Sequence, residues 1–199
     1  LKEATLNEKN LRERYQSIFA RDGHSVAAPT ASLHFTPRVL KKIEKKGIRH
    51  AFVTLNVGMG TFATLTEDNF KTNKLHTEWC EISKQTAGSI NKAKEKDFQI
   101  MAVGTTATRT LEAALIKKNG SYVLEAKSGN TDIFIYPPHH FKLVDIMLTN
   151  FHLPKSSLML LVDAFLKDKE AQGDLLDLYR VAIKEKFRFY SFGDAMLIL

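Results

Sequence analysis

Residues 144–165 read VDIMLTNFHLPKSSLMLLVDAF. An apolar strand runs into a polar insert, and the insert runs into an apolar helix. A strand without polar alternation is buried on both faces, and the helix after it must pack back on the sheet. Two further apolar stretches end in the same manner, LNVGMGTF at 55–62 and AVGTTATR at 102–109. Strands alternating with helices in this way predict an α/β fold, a three-layer α/β/α sandwich with a largely parallel sheet. Residues 1–199 read as one α/β domain, because 44% hydrophobic residues can fill one substantial core.

The remaining elements follow from local signals. Residues 5–21 place Leu6, Leu11, Tyr15, Ile18 and Phe19 at helical spacing. In HFTPRVLKKIEKKG, Thr36 caps a helix, Pro37 takes its first position and Gly47 follows its last turn. HAFVTLNVG and FQIMAVG read as strands, and KLHTEWCEIS as a further extended segment. TTATRTLEAALIKKNG reads as one helix closed by Gly120. SYVLEA and TDIFIYP flank KSGN as a hairpin, and DLLDLYRVAIKEKF is a last amphipathic helix before FRFYSFGDAMLIL. The closing GDAMLIL reads as a strand that must pair. The opening LKEATLNEKN reads as the middle of something, which predicts a chain shortened at its N-terminal side.

Charge and cysteine usage narrow the function classes. Lys and Arg number 29 against 22 acidic residues, a net +7, and nucleic acid is the first partner to consider. The Lys41–Lys46 face, Lys184, Lys186 and Arg188 are solvated charges or phosphate contacts. The single Cys80 excludes an internal disulfide and a cysteine metal cluster, and suits a reducing cytosol. No run reaches the roughly 18 apolar residues of a membrane span. Neither zinc-ligand spacing nor a Walker lysine motif nor a GxSxG elbow occurs, so metal hydrolysis and nucleoside triphosphate chemistry lose ground. The expected molecule is a cytoplasmic monomer.

The polar clusters fall at strand ends, where open α/β sheets bind ligands and helix N-termini favour anions. Gly58 and Gly60 form a GxG that a tight turn alone would explain. Thr105 and Thr106 are caps or ligand contacts, and Ser156 and Ser157 after Pro154 are ordinary capping residues. His152 is a satisfied structural histidine or a catalyst. On a regular strand His76 and Glu78 share a face, which makes them an acid–base couple or an exposed ion pair. Asp194 lies amid apolar neighbours and must be paired or hydrogen-bonded.

Six segments in order, RYQSIFARDGHSVAAPTASLHFT, AFVTLNVGMGTF, LHTEWCEIS, AVGTTATRTLE, TDIFIYPPHHFKLVDIMLTNFHLPKSSLMLLVDAF and FRFYSFGDAMLIL, cover nearly the whole chain. Together they resemble the S-adenosylmethionine:tRNA ribosyltransferase-isomerase family of queuosine biosynthesis. The resemblance implies transfer and isomerisation of the ribosyl part of S-adenosylmethionine onto 7-aminomethyl-7-deazaguanine at the tRNA wobble position. Epoxyqueuosine-tRNA forms, and adenine and methionine leave. The cosubstrate is consumed, no metal is required, and the partner is tRNA carrying the modified base. A truncated, non-catalytic tRNA-binding module is the alternative.

The resemblance also implies that a separate β-barrel domain, earlier in the family's chain, is absent here. Asn56 stands where the family commonly has His, so that position is not the obligatory base. Met59 replaces the family's usual Ala, and Tyr136-Pro137-Pro138 its usual YPG turn.

The implied reaction needs a base near the ribose 5′ carbon and a proton donor for adenine. His34, His76, Glu78 and His152 are the candidates for those roles. Thr105, Thr106 and Arg109 are placed near the anionic end of the ligand. Asn150 is a hydrogen-bonding partner, Thr30 and Ser32 line the same pocket, and Gly58 and Gly60 complete the binding set. Phe62, Trp79 and Phe151 are stacking platforms for a base or members of the core.

Overall fold

The computed structural model describes residues 8–20 and 25–199. Its elements are helix α1 (Glu8–Arg14), a 3-10 turn (Thr30–His34), α2 (Pro37–Lys45), β1 (Thr54–Asn56), a second 3-10 turn (Met59–Phe62) and α3 (Glu67–Thr72). There follow β2 (Lys74–Ile82), α4 (Lys84–Lys94), β3 (Met101–Val103), α5 (Thr105–Glu112), β4 (Leu115–Lys118) and β5 (Ser121–Leu124). The chain continues through β6 (Lys127–Ile133), β7 (Ile146–Asn150), α6 (Ser157–Asp168), α7 (Leu175–Lys184) and β8 (Ala195–Ile198).

The fold is mixed α/β as expected, but its pairing is mostly antiparallel. One sheet has the order β1-β2-β6 with both pairs antiparallel. The second has the order β3-β7-β8, in which β3 and β7 are parallel and β8 returns antiparallel. The third is the β4-β5 hairpin. The largely parallel sheet is therefore corrected to one parallel pair among the described residues. Apolar strands alternating with helices suggested parallel crossovers, but burial on both faces does not fix strand direction. Here β2 runs nine residues, with alternate side chains buried only towards its end, and lies between two antiparallel partners.

The helix expected over 105–120 stops at Glu112, and Leu115–Lys118 is a strand instead. Asn119 and Gly120 have φ of 50° and 85°. Two consecutive positive-φ residues form the two-residue turn that suits a twisted hairpin, so Gly120 turns a hairpin rather than capping a helix. KSGN is likewise no turn. It lies inside β6, with Gly129 opposite Cys80 of β2, whose Sγ donates to the Gly129 carbonyl at 3.4 Å. The helix read over 5–21 is described only as α1, and its first residues lie outside the described part.

Caps behave as their residue types predict. The Thr36 hydroxyl accepts from Val39 N at 3.2 Å, with Pro37 at the first helical position. Ser156 accepts from Met159 N, and Asp174 from Asp177 N. Each such cap is worth about 1 kcal/mol. The final strand does pair, with Leu197 opposite Leu148 and Ala195 opposite Asn150.

Helix α6 supplies the centre of the core. Leu161, Val162, Ala164 and Phe165 are at most 1% exposed and belong to one cluster with Met147 of β7, Ile82 of β2 and Leu124 of β5. Burying a side chain such as Phe165 contributes about 1.5–3 kcal/mol relative to exposure. That packing holds the ends of β3 and β7, and the start of α6, in fixed positions.

Candidate functional site

Two groups of polar side chains gather at this framework. The first sits where β3 and β7 end. Gly104 continues the strand ladder by donating to the Leu148 carbonyl at 2.8 Å, then turns with φ +92° into α5. That φ suits glycine alone. A Cβ at Gly104 would lie 3.4 Å from the Thr106 hydroxyl and 3.7 Å from the Ala31 side chain, so the Thr30–His34 turn packs onto this corner.

From that turn the Thr30 hydroxyl donates to Asn150 Oδ1 at 3.0 Å, joining segments 120 residues apart. Asn150 Nδ2 donates in turn to the Asp194 carbonyl at 3.4 Å. Asn150, Ser32 and Thr105 are all buried, although the Ser32 hydroxyl is spent on the Pro29 carbonyl within its own turn. Thr106 is half-buried.

Asp194 is bonded, as a charge among apolar neighbours must be. It accepts from the Arg188 backbone N–H at 2.8 Å and from the Arg188 guanidinium at 2.6 Å. Those bonds to Arg188 hold its carboxyl below the usual carboxylate range, with His34 contributing least. Arg188 is thereby engaged in closing a turn, while the Lys41, Lys42, Lys45 and Lys46 face of α2 stays exposed.

His152 follows Asn150 by two residues. Its Nε2 lies 2.9 Å from the Thr149 hydroxyl, and its backbone N–H donates to the Tyr179 hydroxyl at 2.8 Å. Removal from water pushes the imidazole down to about 4, so the ring is neutral at physiological pH. Burial raises the Tyr179 phenol, with the His152 N–H partly opposing it. Phe151 is buried in an aromatic cluster with Tyr179, Phe187 and Phe189, which makes it core rather than a stacking platform. Trp79 is half-buried, and the Phe62 side chain lies outside the described part.

The second group joins β2, α5 and the start of α6. Arg109 NH1 donates to Glu78 Oε2 at 2.6 Å, and both side chains are almost wholly buried. Glu78 Oε1 accepts from the Gly58 backbone N–H at 3.0 Å. Buried Arg109 Nε and NH2 have no hydrogen-bond partner among the described residues. A narrow pocket beside them is lined by Gly60, Leu65, Leu75, His76, Arg109 and Ser157 among others. Thr105 and Thr106 are not among its lining residues, so the structure separates them from Arg109 in this respect.

The expected His76–Glu78 couple is corrected by the strand itself. Between Lys74 and Glu78 the register shifts, so that four residues of β2 advance while β6 advances only two, from Ile133 to Thr131. Such a bulge breaks the period of two on which the shared face depended. His76 is exposed on the pocket rim, while Glu78 points inward to Arg109. His34 is also exposed.

Glu112 was not singled out from sequence. It is buried and accepts from three consecutive backbone N–H groups, those of Lys142, Leu143 and Val144, at 3.2–3.3 Å. A glutamate at the end of a helix with a buried apolar face is the signal that would have marked it.

The sequence matches the family described as queuosine biosynthesis protein over residues 3–198. It is 51% identical over 186 residues to a Halothermothrix orenii protein named S-adenosylmethionine:tRNA ribosyltransferase-isomerase, covering 94% of this chain and 52% of the relative. The crystal structure of S-adenosylmethionine tRNA ribosyltransferase from Thermotoga maritima superposes with a TM-score of 0.66 at 43% identity. That match covers 85% of this chain and 51% of the other. The chain thus spans about half the length of these relatives. With a match along nearly its whole length and this level of identity, the chain belongs to the queuosine biosynthesis protein family.

Proposed function

We propose that this chain acts in the transfer and isomerisation of the ribosyl part of S-adenosylmethionine onto 7-aminomethyl-7-deazaguanine in the wobble position of tRNA. The products are epoxyqueuosine-tRNA, adenine and methionine, with no net oxidation or reduction. A relative at 51% identity bears the name of this activity. The observation that carries the reading is the bond between Thr30 and Asn150. It brings together APTASLHF and LTNFHLPKSS, two of the segments on which the family likeness rests, at the carboxyl ends of β3 and β7.

In this reading Thr30, Asn150 and the Gly104–Thr106 corner bind the cosubstrate, and the pocket with His76 receives its other end. His76 and His34 are exposed and take the acid and base roles. His152 is a neutral hydrogen-bonding group, and Glu78 holds Arg109. Neither of these two is then the proton carrier. The basic surface suits a tRNA partner, and the reaction belongs in the cytoplasm.

The test is product analysis by liquid chromatography and mass spectrometry. The chain is incubated with S-adenosylmethionine and tRNA carrying 7-aminomethyl-7-deazaguanine, with guanine-containing tRNA as control. Adenine and epoxyqueuosine formed only on the modified tRNA are the expected products. Binding of the tRNA without adenine release would instead favour a non-catalytic tRNA-binding module.

A further inference from the structure

Arg109 is 3% exposed, yet only NH1 among its guanidinium nitrogens has a partner. Nε and NH2 each direct an N–H within the guanidinium plane along the same edge. That edge matches the two oxygens of a carboxylate, which Arg binds bidentately. A buried charged donor with no acceptor is unfavourable, so the open edge calls for an acceptor.

The surroundings select its chemistry. Arg109 and Ser157 line the same pocket, and Ser157 is the first residue of α6, whose free N–H groups and dipole favour negative charge. Glu78 already offsets the Arg109 charge. A singly charged planar carboxylate therefore suits the site better than a phosphate dianion. The exposed His76 ring, packed on Gly60, forms one wall of this pocket.

Resting on the S-adenosylmethionine reading above, we infer that the Nε–NH2 edge of Arg109 binds the α-carboxylate of the cosubstrate's methionine tail, in the pocket between Gly60, His76 and the start of α6. Glu78 is then a positioning residue, which turns the guanidinium so that this edge faces the ligand.

The experiment compares ligands that differ only in that carboxylate. Affinities of S-adenosylmethionine and decarboxylated S-adenosylmethionine are measured by calorimetry. The ¹⁵N-labelled Arg109 Nε–H resonance is followed during titration with each, and with L-methionine. The carboxylate is expected to improve affinity roughly 10- to 100-fold, the range of a charge-assisted hydrogen bond. The Nε–H signal should move with S-adenosylmethionine and L-methionine and stay still with the decarboxylated compound.

Arg109→Met alone removes the counter-charge of the buried Glu78 carboxylate, so the neutral pair Glu78→Gln/Arg109→Met is the variant of choice. It should bind both adenosyl ligands equally. Equal affinity of the unaltered chain for both ligands would overturn the carboxylate site and leave the S-adenosylmethionine reading intact. A moving Nε–H signal with L-methionine, but no affinity for S-adenosylmethionine, would overturn that reading and keep the site. A still signal with every ligand would overturn the site outright.

Discussion

The side chain of His76 lies so close over Gly60 that a Cβ built there would sit 2.3 Å from the ring Cγ and 2.4 Å from His76 Cβ. These atoms are near the strand backbone and cannot step aside as the tip of a flexible chain can. Gly60→Ala must therefore displace β2 or the 59–62 turn, at about 1–3 kcal/mol, the usual range for overpacking. Gly58→Ala is the control, since nothing lies within 4 Å of its Cβ position. Urea unfolding of the two variants should show a loss for the first and little change for the second. Equal losses would show that the close approach does not matter.

The Arg109–Glu78 pair predicts a strong coupling. Its side chains are 4% and 1% exposed, so either single replacement, Arg109→Met or Glu78→Gln, leaves the other group a buried charge without its counter-charge. Each should cost about 3–5 kcal/mol. The double variant should cost clearly less than the two together, because no uncompensated charge remains. A double-mutant cycle from urea melts measures this directly. Simple additivity would mean that the pair does not act as a unit.

Glu112 fixes the approach into β7 by accepting from Lys142, Leu143 and Val144 N–H groups. Glu112→Ala removes the acceptors for all three, and about 2–4 kcal/mol should be lost. Glu112→Gln keeps one carbonyl oxygen and should lose about half as much. Hydrogen exchange locates the effect. The Leu143 and Val144 amides should exchange faster in the alanine variant, whereas amides of the β4-β5 hairpin should not.

The parts legible in the sequence were those governed by neighbouring residues. Caps at Thr36 and Ser156, the strand at 74–82 and the buried helix after the 149–156 insert all follow from local spacing and residue type. Strand direction was not legible, because apolar residues in β3 and β7 bury equally well beside a partner of either sense. The turn at Asn119–Gly120 was misread because a glycine after lysines also ends helices. The site was half legible. Thr30, Asn150, Arg109 and Gly60 all reappear in it, but the partner of Glu78 depends on a bulge that no spacing rule anticipates. Glu112 escaped because its acceptors' partners lie 30 residues further along the chain.

His152 predicts the pH dependence of stability. Its imidazole is pushed from 6.5 down to about 4 by removal from water. Above pH 6.5 the folded and unfolded chains both carry it neutral, and it adds no slope. As pH falls from 6.5 towards 4 the unfolded chain takes up a proton that the folded chain refuses, so stability is lost across this window. The loss attributable to His152 is at most about 3 kcal/mol and is complete once the folded form also protonates. Urea unfolding at pH 7, 5.5 and 4.5 should show a steeper decline for the unaltered chain than for His152→Gln, which keeps a hydrogen-bonding group near Thr149 but cannot titrate. Parallel declines would mean that the ring protonates in place, and that Thr149 and Tyr179 tolerate an imidazolium beside them.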